Sequence, residues 1–431
     1  MAQVAASFVA WLASFAGVFT TRSSEIFAEI CTAWVLCPGR RTVTRMVQVM
    51  GPLASGAHDA YHRFLRAGAW MVEDLWRLTT QGLVARLAPS GVLNLDLDDT
   101  LFHKTGRKIE GSGIFRDAVR SSGKSVVYAW GLNLVVLTLR IRPPWGGEPL
   151  GLPINLRLYR KGGPTHLELA EDMIRQVAGW LPNRQFRFCG DGAYASLAGR
   201  GLPRTQVTSR MRRDAALFEL PPKRKRKGPG RPRNKGRRLL TPEKMAKQAT
   251  KGWSMVKVDI RGRTEERLVW TRQVLWYAVR KKDPVLLVIV RDPAGKERDD
   301  FFFTTDVKAV PTIVVHDYAG RWSIEDTFRN VKQILGGEDP QTWKGEGPEK
   351  VAVIAFWLYS SVWSSFLQTR DAGSLWEPTP WYPQKRTPSF ADAMAALRKP
   401  LWRERVFRRS ASGPHFRKTI STLIEVLSLS A

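Results

Sequence analysis

The stretch Asn94-Leu-Asp-Leu-Asp-Asp-Thr-Leu-Phe102 decides how the chain is read. Val92 to Asp98 reads as a strand, in which Leu93, Leu95 and Leu97 share one face and Asn94, Asp96 and Asp98 the other, because successive side chains of a strand alternate. Three aspartates so close together suit two phosphoryl-transfer chemistries. In one an aspartate attacks phosphorus; in the other it holds metal. Asp98 is the last residue on the polar face and the first candidate ligand. Asp99 would point to the leucine face unless the strand has ended, and is the alternative.

Working outward, the period before residue 91 is helical, with apolar residues at three- and four-residue steps in Ile26–Val35 and Ala69–Trp76. The run Ala6–Phe19 is too short to span a bilayer and has no Lys or Arg before it, so a buried helix is expected. After residue 91 strands are expected at Val126–Leu139, Leu150–Tyr159, Gln185–Gly190 and Thr205–Ser209. An amphipathic helix at Thr165–Leu181 and a short one at Ala193–Ala198 separate the later strands. This order describes an α/β domain with a mixed sheet. Residues 210–305 interrupt it with a basic loop and strand-like runs at Trp253–Ile260, Leu268–Val279 and Val285–Val290. Helical patterning returns at Pro311. The division expected is a helical DNA-binding region (1–90), the first part of an α/β core (91–209), a β-rich insertion (210–305), completion of the core by a helix carrying Glu325 (306–345), and a helical tail (346–431).

Composition narrows the partners. The 431 residues hold 68 Lys plus Arg against 39 Asp plus Glu, a formal charge of +29, which calls for a polyanion such as nucleic acid. A hydrophobic content of 43% excludes wholesale disorder. Cys31, Cys37 and Cys189 have no zinc-ligand spacing with the histidines, which fits a reducing, cytoplasmic setting and no membrane.

As an aspartate-nucleophile phosphatase, Asp96-Leu-Asp-Asp-Thr-Leu101 would use Asp96 to attack and Asp98 as acid/base. That chemistry also needs a distal acidic pair, and Gly190-Asp-Gly-Ala-Tyr-Ala195 has alanine where the second carboxylate belongs. The two-metal alternative needs three carboxylates from separate elements, converging on two Mg²⁺ ions (Mn²⁺ as substitute). Asp191 stands just past a strand, at the end where α/β sites gather, although such a residue also suits a helix cap. In His316–Lys332, residues Tyr318, Arg321, Glu325 and Lys332 recur at helical steps that place them on one face. Glu325 there suits metal, and Arg321 and Lys332 suit phosphates.

This quartet resembles the Tyr-Arg-Glu-Lys signature of DDE-type bacterial insertion-sequence transposases of the insertion-sequence-four superfamily. Asp98–Lys104, Gly190–Tyr194, Phe302–Asp306 and Leu335–Gln341 are similar to that family too, in order along the chain. The resemblance implies a ribonuclease-H-like core with a β-rich insertion and metal-dependent DNA cleavage with strand transfer. It also implies metal ligation by Asp98, Asp191 and Glu325, DNA contacts from Tyr318, Arg321 and Lys332, element-end and target duplexes as substrates, and a homodimer on DNA, in a bacterial nucleoid setting. A decayed copy that binds DNA without cutting is a further alternative.

Lys223–Arg238 has ten basic residues in sixteen and no acid. Lys223, Arg224, Lys225, Arg226, Lys227, Arg231, Arg233, Lys235, Arg237 and Arg238 are therefore candidate phosphate contacts on an extended loop. Gly230-Arg-Pro232 resembles an AT-hook. Trp270 and Trp276 on the insertion suit either core packing or stacking on an unpaired base.

Overall fold

A computed structural model describes residues 2–407 except 124, 223–232, 261–262 and 377–379, together with 420, 421, 423, 424 and 426–428. The strands are β1 (Leu93–His103), β2 (Gly113–Arg116), β3 (Tyr128–Ile141), β4 (Leu150–Tyr159), β5 (Phe186–Gly190), β6 (Thr205–Arg210), β7 (Ser254–Ile260), β8 (Arg263–Val274), β9 (Val285–Arg291) and β10 (Asp300–Thr304). The helices are α1 (Ala2–Ala13), α2 (Thr21–Leu36), α3 (Val43–Met50), α4 (His58–Ala67), α5 (Val72–Leu87), α6 (His166–Trp180), α7 (Pro242–Gln248), α8 (Pro311–Gly320), α9 (Ser323–Gln333), α10 (Gly347–Leu367) and α11 (Phe390–Phe407).

β3 lies antiparallel to β1 and β4 antiparallel to β3, while β5 and β6 follow parallel to β1. Three antiparallel strands, a helix, then two parallel strands form the ribonuclease-H-like order that the resemblance implies. β3 is buried continuously from Gly131 to Ile141 because helices cover both of its faces. A capping box fixes the start of α6: Thr165 accepts from the Glu168 N–H while the Glu168 carboxylate accepts from the Thr165 N–H.

The sheet does not stop at β6. β10 pairs antiparallel with it, and β9, β8 and β7 follow outward, making ten strands among the described residues. The insertion's strands thus extend the core sheet. Valines of β7, β8 and β9 pack with Phe302 and Tyr318 under α8 in a second apolar cluster. Trp276 is buried edge-on to Phe303, the core-packing outcome, and Trp270 lies partly buried beside Gly252.

The helical ends close over β4. Trp11 Nε1 donates to Ser361 Oγ at 2.9 Å, Trp34 Nε1 to the Leu335 carbonyl at 2.7 Å and Arg398 Nε to the Val35 carbonyl at 2.7 Å. The run Ala6–Phe19 forms most of α1 and a short 3₁₀ turn, with Phe8, Trp11 and Phe15 buried. Among the described helices α10 is long and apolar enough to cross a membrane, but it is buried inside the protein. In α4 the aromatic residues Tyr61 and Phe64 point inward while Arg63 and Arg66 are exposed.

Candidate active site

The register of β1 against β5 sets the site. The parallel ladder ends at Leu97 opposite Gly190, so the next residues beyond the paired segments are Asp98 and Asp191. β5 stops there because Asp191 caps a 3₁₀ turn over Gly192–Gly199, accepting the Ala193 N–H on Oδ1 at 2.9 Å. Ser209 Oγ on β6 donates to the Asp191 carbonyl at 2.7 Å, which fixes the turn against the sheet.

β1 runs on past Asp98 to His103, because it stays paired with β3 after β5 has turned away. The expected strand end at Asp98 is therefore corrected. The pleat continues, and it separates the aspartates. Asp99 lies on the α6 side, where Asn133 Nδ2 donates to its Oδ2 at 3.0 Å and the Tyr194 hydroxyl approaches Oδ1 at 3.5 Å. His166 Nε2 meets Asn133 Oδ1 at 2.7 Å behind it. Asp96 shares the Asp98 side but is fully buried, and Arg140 closes on both of its oxygens, with Nε–Oδ2 at 2.8 Å. That occupies the carboxylate an aspartate-nucleophile phosphatase would need free.

The opposite wall differs from the single helical face expected of Tyr318, Arg321, Glu325 and Lys332. The chain breaks between α8 and α9, with 3₁₀-type bonds from Arg321 N–H to the Tyr318 carbonyl and from Trp322 N–H to that of Ala319. The break falls at Gly320, whose hydrogen faces Arg140; a β-carbon there would stand 2.7 Å from Arg140 Nη1. Tyr318, on α8, is buried against Phe302 with ring centroids 4.4 Å apart, and Arg210 lies above its ring at 5.8 Å. Lys332 lies far along α9, half-buried, where burial lowers its pKa while Glu338 and Asp117 oppose that shift. Beside those acids His103 Nε2 meets Asp117 Oδ2 at 2.8 Å.

Arg321, at the break, reaches the carboxylates. It is only 5% exposed. Its Nη1 donates to Asp98 Oδ2 at 2.8 Å and its Nη2 to Glu325 Oε1 at 3.1 Å. Burial works against the guanidinium charge, but Asp98, Tyr318 and Glu325 outweigh it and raise the pKa. Asp98 is pushed up to about 7, chiefly by burial, with Asp191 and Asp99 adding to the shift and Arg321 opposing it.

Asp98, Asp191 and Glu325 thus arrive from a strand, a strand end and a helix, and offer only hard oxygen donors, the set that suits a divalent cation. Among the described residues no three His, Cys, Asp or Glu groups converge closely enough to cage an ion. The side chains are instead arranged around Arg321. Beside α8 a cleft of about 990 Å³, lined by Arg140, Arg142, Arg187, Lys257, His316 and Asp317 among others, opens next to this wall.

The family model described as "DDE superfamily endonuclease" matches residues 14–277, more than half of the chain. The chain belongs to that family. A DDE endonuclease acts on DNA and uses divalent metal ions, which makes the +29 charge intelligible. The matched span contains Asp98 and Asp191 and ends before Glu325. No curated protein sequence matches the endonuclease.

Of the basic stretch, Lys223, Arg224, Lys225, Arg226, Lys227 and Arg231 lie outside the described residues. Arg233, Lys235, Arg237 and Arg238 are exposed where the endonuclease chain rejoins the sheet. Lys235 Nζ sits 4.3 Å above the Phe218 ring and Arg237 Nη2 pairs with Glu219 Oε1 at 3.2 Å. Sequence reasoning missed Arg140, Asn133, His166, Tyr194 and Asp317 as neighbours of the aspartates. A charged Arg140 at the end of an otherwise apolar strand was the available signal.

Proposed function

We propose that this DDE endonuclease is a transposase that cleaves the ends of an insertion sequence and joins them to target DNA. Its signature would be that of the insertion-sequence-four superfamily, and it would act with two Mg²⁺ ions, Mn²⁺ substituting. The observation that carries the reading is the meeting of Asp98 with Glu325 through one guanidinium, beside the β1–β5 register step that brings Asp191 alongside.

Asp98, Asp191 and Glu325 would hold the metal, which when bound activates the attacking oxygen and stabilises the departing one. The chain's own groups do the rest. Arg321, set between two of these carboxylates, would take the phosphate beside the broken bond in a two-pronged contact. Tyr318 and Trp322 flank that guanidinium, at 5.5 and 5.8 Å, and restrict where it can swing. Lys332, farther along α9, meets a phosphate away from the cut. The cationic stretch from Lys223 to Arg238 and the helical N-terminal region hold the duplex, with affinity supplied by charge. Pairing of two element ends calls for a homodimer on DNA. The Asp96–Arg140 pair speaks against the phosphatase alternative, and an inactive DNA-binding copy is separated by assay.

Asp98→Asn, Asp191→Asn and Glu325→Gln, each tested for nicking of a supercoiled plasmid beside a gel-shift, decide the matter. Each should stop Mg²⁺-dependent cleavage and leave DNA binding largely intact. Normal cutting by any of the three removes that residue from the metal centre, and a wild type that binds but never cuts supports the decayed copy.

A further inference from the structure

Asp98 has both carboxylate oxygens engaged by the chain itself. Oδ2 accepts from Arg321 Nη1 and Oδ1 from the Asp99 N–H at 2.9 Å. Glu325 Oε1 is held by the other prong of the same arginine. A cation approaching these oxygens competes with a cation already in place. Arg321 is nonetheless short of acceptors, since its Nε is buried with no hydrogen-bond partner. A phosphate could satisfy that N–H and one Nη together, the bidentate geometry a guanidinium favours. The residue sits at the α8–α9 break rather than inside a helix, where a small backbone change redirects the side chain.

We propose that Arg321 is the resident counter-cation of the site, and that metal enters only when a DNA phosphate draws the guanidinium off Asp98 and Glu325. This rests on the metal-centre reading above and adds an order to it: DNA first, metal second. The free protein then binds metal weakly, because its apparent affinity is reduced by the fraction of molecules in which Arg321 has left. A nuclease so arranged carries no loaded metal centre away from its substrate.

The test is a Mn²⁺ titration followed by the electron paramagnetic resonance signal of the free ion, on wild type and Arg321→Gln, each with and without a short duplex whose own Mn²⁺ binding is subtracted. Wild type alone should bind weakly, and Arg321→Gln alone about tenfold or more tightly than that. DNA should tighten Mn²⁺ binding to wild type by a similar factor and leave the variant nearly unchanged. A folded Arg321→Gln, judged by its melting curve, that binds no more tightly than wild type overturns the proposal. If the variant does not fold, the wild-type arms decide alone, and equal affinity with and without DNA overturns it. Asp191→Asn in the same titration separates the two readings. Binding that survives this change sinks the metal centre itself; binding lost there, with no gain in Arg321→Gln, sinks only the ordered entry.

Discussion

Arg140 and Asp96 form a buried, two-pronged pair just ahead of Asp98 on the same side of β1. Arg140 Nη1 also lies 3.6 Å from Asp317 on α8, so one guanidinium ties the aspartate strand to the helix before the Arg321 break. Removing one member of such a pair leaves an uncompensated buried charge, at about 3–5 kcal/mol. Asp96→Ala should therefore lower the unfolding free energy by that order in urea titrations, whatever it does to cleavage. A near-normal midpoint would mean the pair is not what anchors the strand.

Gly151 offers a test of helix placement. A β-carbon there would stand 3.1–3.2 Å from Ser323, in the first turn of α9, while the Gly151 carbonyl accepts from Thr327 Oγ1 at 2.6 Å. Gly151→Ala should push the start of α9 outward and with it Glu325. Displacement on the order of 1 Å costs catalysis about a hundredfold, so plasmid nicking should fall far more than DNA affinity. Equal losses in both would point to general unfolding instead.

Deleting residues 223–232 should weaken binding to any duplex. The slope of log affinity against log salt should flatten by about 0.9 for every phosphate the shortened chain no longer neutralises. Lys235 and Arg237 stay behind, held on Phe218 and Glu219, so part of the slope persists. An unchanged slope would make the stretch a tether, and selective loss at AT-rich sites would favour a minor-groove role.

Lys104 gives a pH signature. Burial lowers its pKa to about 8, with Glu338 and Asp339 opposing, and Nζ donates to the Glu338 carbonyl at 2.6 Å. Between that value and the ordinary 10.5 the unfolded chain holds more protons than the folded one, so stability from this group rises with pH. Wild type should gain about 3 kcal/mol over Lys104→Met between those limits. A difference independent of pH would mean Lys104 stays charged when folded.

Much of the fold was legible because strand alternation and helical steps are local properties. The order of β1, β3, β4, α6, β5 and β6 follows from them, as does the side of the sheet on which Asp98 lies. Three features were not legible. Steps of three and four continue smoothly through Tyr318, Arg321 and Glu325, since a 3₁₀ turn displaces the axis without disturbing that spacing. The partner of Asp96 is on β3, 44 positions away, and only the pairing register selects it. The extent of β1 also depended on a neighbour: β3 keeps it extended after β5 departs.

The joining of Arg321 to Asp98 spans 223 positions of sequence, and β6 gains its outer neighbour only from β10. A ribosome must release both before either contact forms. The nascent chain can therefore build its first strands and helices early, yet Glu325 reaches the guanidinium that holds Asp98 only when α9 has been made and docked. On the metal-centre reading proposed above, synthesis itself becomes a safeguard: a prematurely ended product lacking α9 would keep Asp98 and Asp191 but bring no Glu325 to them, and would compete for DNA without cutting it.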